Sequence, residues 1–377
     1  MSHKLKICIN GITENSEIRG PVRYIYELAA HMDTSRFDIV LLAGKWQRSV
    51  YGSLEERIDV HYVDVRRSKA RRALFFFWSM PKLLRRMRID VYHIPDTNPL
   101  PLSRGGARIV STIHDSAEYV VPFRFSKFQA LYRRVISKIQ AHGSDAVITV
   151  SESSRRDLVK YLKIAPEVVT VTPLGVTPLA DGIRALPMAD SVTIHSQYIL
   201  YVGVLENVKN VDRLVEAYAA LAPDLRQKFS LYLVGRKSNA FARISNLIQE
   251  HALSEQVRIF GYISEDELHQ LYRGASIVAY LSEYEGFGLP ILEAMRYGIP
   301  VLASNRTSIP EVAGEAALLV ETDIASIATG LDTLLRDAAL RENLASKGLA
   351  RAATFQWEKT ARETEGVYDQ VFSLDSH

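Results

Sequence analysis

Short apolar runs that alternate with helix-forming segments most restrict how this chain can fold. Runs such as residues 5–10 and 198–202 are rich in Ile, Leu and Val, and a loop and a helical pattern follow each of them. Such runs are typical of strands buried on both faces of a parallel sheet that helices cover. The alternation pauses in a linker of mixed polarity, residues 179–196, and then begins again. We therefore expect an α/β fold with two parallel-sheet domains.

The length and the cysteine content agree with this class of protein. A chain of 377 residues is too long for one compact core, and we place the domain boundary close to residue 190. The single cysteine, Cys8, lies in the first predicted strand, where we expect a small buried apolar side chain rather than a disulfide. There is neither a run long enough to span a membrane nor a signal sequence, so we expect a cytoplasmic protein.

The charge of the chain is divided unevenly between its halves. Residues 1–185 contain 29 Lys and Arg against 18 Asp and Glu, a net charge of +11, whereas the remainder contains 17 against 25, a net charge of −8. We expect the two halves to meet different partners.

Residues 66–88 concentrate positive charge around an aromatic block. Nine Lys and Arg and no acidic residue accompany the run from Leu74 to Trp78. An anionic membrane surface attracts such a segment by about 1 kcal/mol for each close cation, in addition to the burial of aromatic area. Alternatively, the aromatic side chains pack on the sheet and the arginines stay in water. We favour membrane contact, and we expect no nucleic-acid partner because no recognised nucleic-acid motif is present.

Residues 282–293, S-E-Y-E-G-F-G-L-P-I-L-E, are predicted to form an anion site. They follow an apolar run that is typical of a buried strand, and Pro290 suits the first position of a helix. Free N–H groups at a helix N-terminus favour phosphate. Glu285 and Glu293 flank the turn with seven residues between them, so they could reach opposite ends of one ligand. A solvated pair is the alternative, but the apolar residues around both carboxylates argue against it.

Other strand ends supply further candidates. Gly20 and Arg23 border the first loop, where a plain turn is equally consistent with the sequence. In the second half, Gly203 permits a close turn and Lys209 places a cation near the next helix. His114 follows a predicted strand at the edge where ligands collect in a doubly wound sheet, although a lone His-Asp pair can also be a surface turn. Dinucleotide-binding, P-loop, zinc-protease and paired-cysteine motifs do not occur.

These segments together resemble the retaining glycosyltransferases of family 4, which have the two-domain GT-B fold. The resemblance rests on Y-V-G-V-L-E-N-V-K-N, V-R-I-F-G-Y-I-S-E-D-E-L, Y-E-G-F-G-L-P-I-L-E-A-M with its E-x7-E spacing, and, in the first half, T-I-H-D and V-T-P-L-G-V. It implies two Rossmann-like domains that face each other across a cleft, with a C-terminal helix that crosses back. The acceptor-side domain would then comprise residues 1–188 and 355–377, and the nucleotide-sugar domain residues 189–354.

The resemblance also implies roles for individual residues. Glu285 would contact the donor sugar, Glu293 the ribose and Lys209 the diphosphate, while His114 would meet the sugar. Glu285, His114 and Lys209 form the predicted catalytic set. The predicted donor-binding residues are Gly20, Arg23, Gly203, Asn210, Gly235, Arg236, Gly261, Tyr262, Ile263, Gly286, Phe287, Gly288, Leu289 and Glu293.

Two valines depart from the family pattern. Many members carry an arginine where this chain has Val204 or Val208. The diphosphate would therefore need another cation, for which Arg236 or Arg23 is the candidate.

The implied reaction moves a sugar from a UDP- or GDP-linked donor to an acceptor hydroxyl, with retention and with no metal or other cofactor. The implied acceptor is a lipid-linked saccharide of O-antigen or capsule synthesis, or an oligosaccharide, at the inner face of the plasma membrane. A same-fold sugar-nucleotide epimerase and a non-catalytic nucleotide-sugar-binding partner are the alternatives. The former would convert the donor without an acceptor, and the latter would bind it without turnover.

Overall fold

The computed structural model of the protein describes residues 4–13, 18, 20–65, 69–177 and 197–373. The predicted linker from residue 179 and the predicted boundary at residue 188 lie outside these ranges. The strands are β1 Leu5–Asn10, β2 Phe37–Gly44, β3 Asp59–Val63, β4 Val91–Ile94, β5 Arg108–Thr112, β6 Ala146–Thr149, β7 Val169–Val171, β8 Tyr198–Val202, β9 Ser230–Val234, β10 Val257–Phe260, β11 Ile277–Tyr280, β12 Val301–Ser304 and β13 Ala317–Val320.

Helices separate most of these strands. They are α1 Pro21–His31, α2 Arg48–Tyr51, α3 Lys69–Leu74, α4 Met80–Met87, α5 Ala117–Val120, α6 Lys127–Gly143, α7 Glu152–Leu162, α8 Val211–Ala219, α9 Pro223–Lys228, α10 Phe241–Glu250, α11 Glu265–Gly274, α12 Leu289–Arg296, α13 Ile309–Ala313, α14 Ile324–Arg336, α15 Ala338–Ala352 and α16 Trp357–Ser373. A π-helical turn, Phe75–Ser79, joins α3 to α4. No helix within the described ranges is both long enough and apolar enough to cross a bilayer.

The chain divides into two compact units. The first comprises Met1–Gly175 and Gln356–His377, and the second comprises Val176–Phe355. The described strands of the first form a parallel sheet of order β3-β2-β1-β4-β5-β6-β7, and those of the second a parallel sheet of order β10-β9-β8-β11-β12-β13. The predicted fold class of two Rossmann-like domains is therefore confirmed, and α16 returns to the first unit, where it packs on α1 and β5.

Strands in the middle of each sheet are more deeply buried than strands at its edges. Every residue of β4, β11 and β12 is buried, as expected for strands that helices cover on both faces. Residues of β3 and β13, at the sheet edges, are mostly half-buried. In each sheet the strand order reverses beside the first strand, so the loops after β1 and β4 meet in one unit, and those after β8 and β11 meet in the other.

Some apolar side chains of the basic aromatic segment are buried and others are exposed. Phe76, Met80 and Leu84 are buried against strands of the first sheet, whereas Trp78 is 64% exposed and Leu74 is 57% exposed. Packing on the sheet, the alternative weighed above, therefore accounts for part of the aromatic block. Residues 66–68 lie outside the described ranges.

Candidate active site

The predicted anion site lies where the second sheet reverses its strand order. β11 ends at Tyr280 and α12 begins at Leu289. Gly288 precedes α12 with a φ of 121°, which a residue without a Cβ adopts most readily. Pro290 is the second residue of α12, where a missing N–H breaks no intrahelical bond. This part of the chain is thus a strand, a glycine turn and a helix N-terminus, as the sequence predicts.

Two side chains of the loop after β12 form hydrogen bonds to the glycine turn. The buried hydroxyl of Ser308 donates to the carbonyl oxygens of Glu285, at 2.9 Å, and Phe287, at 2.8 Å. Its neighbour Thr307 accepts a bond from the Glu285 N–H at 3.1 Å and has a φ of 49°, a left-handed conformation that is uncommon for a β-branched residue. The sequence analysis did not identify either side chain.

A second set of bonds joins the loop after β8 to the loop after β11. Asn210, in a left-handed conformation before α8, donates from Nδ2 to the Leu281 carbonyl at 2.8 Å. The Glu283 N–H donates to the Val208 carbonyl at 2.8 Å. Asn210 was predicted to contact the donor, but here its amide fixes the position of one predicted site loop against the other.

Lys209 and Glu285 form an ion pair where these two loops meet. Their side chains are only 12% and 14% exposed. The Tyr280 hydroxyl donates to the same carboxylate at 2.5 Å, and the Lys209 ammonium lies 5.7 Å from the centre of the Tyr280 ring. The sequence analysis assigned the two charged residues to different parts of the donor, whereas the structure brings them together.

This arrangement controls ionisation at the site. Burial by itself would raise the pKa of Glu285, but the Lys209 ammonium and the hydrogen bonds to the carboxylate hold that pKa below its ordinary value. Burial and the charge of Glu285 raise the pKa of Tyr280 well above its usual range. The site therefore contains an ionised carboxylate, an ammonium group and a phenol that keeps its proton.

Two glycines allow the ends of β8 and β9 to approach closely. A Cβ on Gly235 would lie 1.9 Å from the Gly203 carbonyl oxygen, and a Cβ on Gly203 would lie 2.7 Å from the Tyr201 hydroxyl. That hydroxyl donates to the Val204 carbonyl at 3.0 Å and thereby fixes the path of the loop. Val208 is buried, so an arginine at this position would have to leave the core.

Glu293, on α12, lies at the other end of the predicted donor site. It accepts a bond from the Tyr272 hydroxyl at 3.0 Å, and the Tyr272 ring stacks on the Tyr297 ring with centroids 5.2 Å apart. Arg236 is exposed after β9, and Tyr262 is 59% exposed after β10. Since β10, β9, β8 and β11 are consecutive in the sheet, the loops that follow them lie next to one another along a single edge, and these loops carry the predicted donor-binding residues of the second unit.

His114, the predicted catalytic residue of the first unit, is held in a defined position. Its Nε2–H donates to the Pro95 carbonyl at 3.0 Å, and its ring meets Tyr24 edge-on with centroids 4.9 Å apart. Gly20, with a φ of 52°, precedes α1, and Arg23 lies in the first turn of that helix. These predicted residues are near the carboxyl ends of β1 and β5.

A buried polar network supports Tyr24. Its hydroxyl is 3.0 Å from Thr112 Oγ1, which is 2.8 Å from His93 Nε2, and His93 Nδ1 is 2.7 Å from the Tyr368 hydroxyl on α16. Burial, assisted by the charge of His114, lowers the pKa of His93 to about 3, so its ring is neutral. The sequence analysis did not identify this network, because its members are spread over four segments of the chain.

Within the described ranges, no group of three or more His, Cys, Asp and Glu side chains is arranged to hold a metal ion. The predicted site residues fall into two sets. Gly20, Arg23 and His114 belong to the first unit, and the remaining predicted residues belong to the second.

Comparisons with known proteins agree across both units. Residues 193–351 match the family model described as Glycosyl transferases group 1, and residues 18–178 match the model described as Glycosyltransferase Family 4. The chain is 31% identical to O-antigen chain mannosyltransferase B of Escherichia coli over 291 residues, which are 76% of this chain and 75% of that protein. It is also 31% identical to the serotype-specific mannosyltransferase WbdA of Escherichia coli over 242 residues, 62% of this chain but only 29% of that protein.

A solved structure shows the same fold. The crystal structure of Anabaena Alr3699/HepE in complex with UDP and glucose superposes with a TM-score of 0.72, covering 97% of this chain and all of that chain at 16% sequence identity. At this identity the likeness concerns the fold alone.

Proposed function

The chain belongs to glycosyltransferase family 4, and on that premise we propose that it moves a mannosyl group from a nucleotide diphosphate sugar to a hydroxyl of a growing saccharide. The observation that carries this proposal is the similarity to O-antigen chain mannosyltransferase B, which extends over three quarters of both proteins. The buried ion pair of Lys209 and Glu285 supplies chemistry suited to such a reaction.

The donor lies along the edge of the second sheet. Gly261, Tyr262 and Ile263 face the base, and Glu293 binds the ribose hydroxyls. The diphosphate meets the backbone N–H groups of Phe287, Gly288 and Leu289 at the start of α12, where the helix dipole favours negative charge. The likeness to a fold that has been crystallised with UDP and glucose supports a nucleotide-sugar donor. The base is uracil or guanine, and melting temperatures measured with a panel of nucleotide sugars distinguish the two.

Lys209 and Glu285 act together on the reacting end of the donor. As the bond between sugar and diphosphate breaks, negative charge grows on the departing phosphate, and the Lys209 ammonium and the loop amides stabilise it. Glu285 stays ionised at neutral pH because its pKa is lowered, so it accepts hydrogen bonds from the sugar hydroxyls. In this scheme the positive charge that a metal ion would provide comes from Lys209, and no metal is required.

We further propose that the new glycosidic bond keeps the anomeric configuration of the donor. In this proposal the departing phosphate of the donor takes the proton of the acceptor hydroxyl as the new glycosidic bond forms. The acceptor is a lipid-linked saccharide at the inner face of the plasma membrane. His114 contacts the sugar in this proposal.

A panel of nucleotide sugars tests the reaction. We expect a GDP- or UDP-linked mannose to raise the melting temperature most, since a ligand that binds only the folded state stabilises it by mass action. With a mannose-containing acceptor, the product should carry an α-linked mannose by nuclear magnetic resonance, also in the presence of EDTA. Conversion of the donor to an epimer without acceptor, or tight binding without turnover for every acceptor tried, would contradict the proposal.

A further inference from the structure

The helix α6 exposes its apolar stripe to solvent. Phe128 is 79% exposed and Tyr132 is 50% exposed, and the other exposed apolar side chains of the same stripe lie at helical spacing. These others are Leu131, Val135 and Ile139. A surface helix of a globular protein normally turns such a stripe toward the core. Five of the ten large apolar side chains that are exposed in the described part of the first unit therefore lie on α6.

The opposite face of α6 is small and polar, and it anchors the helix. Ser137 donates to the buried carboxylate of Glu118 at 2.9 Å, and Gln140 donates from Nε2 to the Asp96 carbonyl at 3.1 Å. Ala130 and Ala141 are also buried on this face. The orientation of the helix is thus fixed by specific bonds, and the apolar stripe faces outward as a consequence.

The charges on α6 indicate what covers the stripe. The helix contains four Lys and Arg and no acidic residue, and Lys127 and Lys138 are exposed beside the stripe. Arg133 is paired with the buried Glu118 of α5. The helix itself has no acidic residue, so none of its side chains offsets the charge of the two lysines. Aromatic and aliphatic side chains on one side of a helix, with cations at their border and no acids, are typical of helices that lie in the surface of an anionic bilayer.

The bonds of α6 also connect this surface to the first-unit loops. Asp96 follows β4, and Glu118 belongs to α5, four residues after His114. The connections β3 to β4 and β5 to β6 run in the same direction across the sheet, so right-handed crossovers place the exposed Trp78 on the same face as α6.

We propose that the exposed face of α6 docks the protein on an anionic lipid surface by inserting Phe128, Leu131 and Tyr132 among the head groups. Lys82, Arg85 and Arg86 are exposed residues of the segment that the sequence predicts as the membrane contact, and they contribute a flanking cation cluster, while α6 provides the apolar insertion. Binding to lipid requires no donor and no acceptor, so it is measured separately from the proposed transfer reaction.

Sedimentation with vesicles tests the inference. We compare the full chain with the double variant Phe128→Ser/Tyr132→Ser on vesicles of phosphatidylcholine, with and without phosphatidylglycerol. The variant should lose about tenfold or more in partition onto the phosphatidylglycerol vesicles, because two exposed aromatic side chains no longer enter the bilayer. A second variant, Lys127→Gln/Lys138→Gln, should lose the preference for anionic over neutral vesicles. Both pairs are exposed, and circular dichroism verifies the fold.

Leu349→Ser is the matched control, since Leu349 is also an exposed apolar residue on a helix but belongs to the second unit. It should sediment like the unmodified chain. Unchanged binding of the Phe128→Ser/Tyr132→Ser variant would overturn the inference. The inference would also be wrong if this variant changed the self-association of the protein in sedimentation velocity but bound vesicles as before. The stripe would then contact a second copy of the chain.

Discussion

Replacing Glu285 with glutamine should both destabilise the second unit and slow transfer. Glutamine keeps the shape of the side chain but removes its charge, so the Lys209 ammonium remains in a place where it is only 12% exposed. Breaking a buried ion pair by neutralising one partner costs about 3–5 kcal/mol. Because some water reaches this pair, we expect a loss near the lower limit, about 3 kcal/mol.

This loss is large enough for thermal and chemical unfolding to detect. In a unit of about 180 residues, Val176–Phe355, each kcal/mol shifts the melting temperature by about 2–4 °C, so we expect a fall of about 6–12 °C. The double variant Lys209→Met/Glu285→Gln removes both charges and should recover about 2 kcal/mol of that loss. The matched control is Glu315→Gln, because Glu315 forms an exposed pair with Lys347 at 3.6 Å and should contribute at most about 1 kcal/mol.

The same pair gives a pH dependence of defined sign. The folded-state pKa of Glu285 is lowered, so its stabilising contribution is complete above the unfolded-state value, about 4.3, and is lost as the pH falls through the folded-state value. The difference in unfolding free energy between the unmodified chain and Glu285→Gln should therefore shrink in acid. Transfer by Glu285→Gln should fall by about 10²–10³ at neutral pH. A variant as stable as the unmodified chain, or one that turns over normally, would refute the reasoning.

Three other changes test the remaining structure. Ser308→Ala leaves two loop carbonyls without their donor and should cost about 1–3 kcal/mol, with weaker donor binding by calorimetry. Gly235→Ala places a Cβ 1.9 Å from the Gly203 carbonyl and should lower the melting temperature strongly, whereas Gly366→Ala, where a Cβ would meet nothing within 4 Å, should not. The pKa of His93 is lowered to about 3, so between about pH 6.5 and 3 the unfolded chain binds a proton that the folded chain does not. As the pH falls through this range, the free energy of unfolding should decrease by up to about 1.4 kcal/mol per pH unit. His93→Gln should flatten that slope.

Elements that depend on residues close together in the sequence could be predicted from it. β1 and β8 have the predicted bounds, because continuous apolar runs signal buried parallel strands. Ser264 and Glu267 form a capping box at the start of α11, and the spacing of this Ser and Glu is visible in the sequence. The loops at 203–210 and 282–288 could be recognised as connections from a buried strand to a helix, and that they face an anion stays a prediction.

The contacts inside the site could not be predicted in the same way. Lys209 and Glu285 are 76 positions apart, and they meet only because β8 and β11 are neighbours in the sheet. Thr307 and Ser308 lie in the loop after β12, in which the sequence offered no candidate site residue. A site assembled from the ends of several strands depends on strand order, and the hydrophobic pattern of each strand carries no information about that order.

The orientation of α6 shows a second limit of the same kind. The helix α6 comprises Lys127–Gly143, and the apolar spacing of Phe128, Leu131, Val135 and Ile139 defines a stripe. The periodicity of apolar residues indicates that a helix has an apolar and a polar face. Which of the two faces turns toward the core depends on contacts with residues that are distant in the sequence. Here Glu118 and the Asp96 carbonyl bind the small polar face, and this leaves the apolar stripe outward. An aromatic block flanked by cations at 66–88 drew attention by composition, yet it buries Phe76 in the core. Composition alone therefore does not locate a lipid-binding surface, because the exposed area depends on which face the tertiary contacts cover.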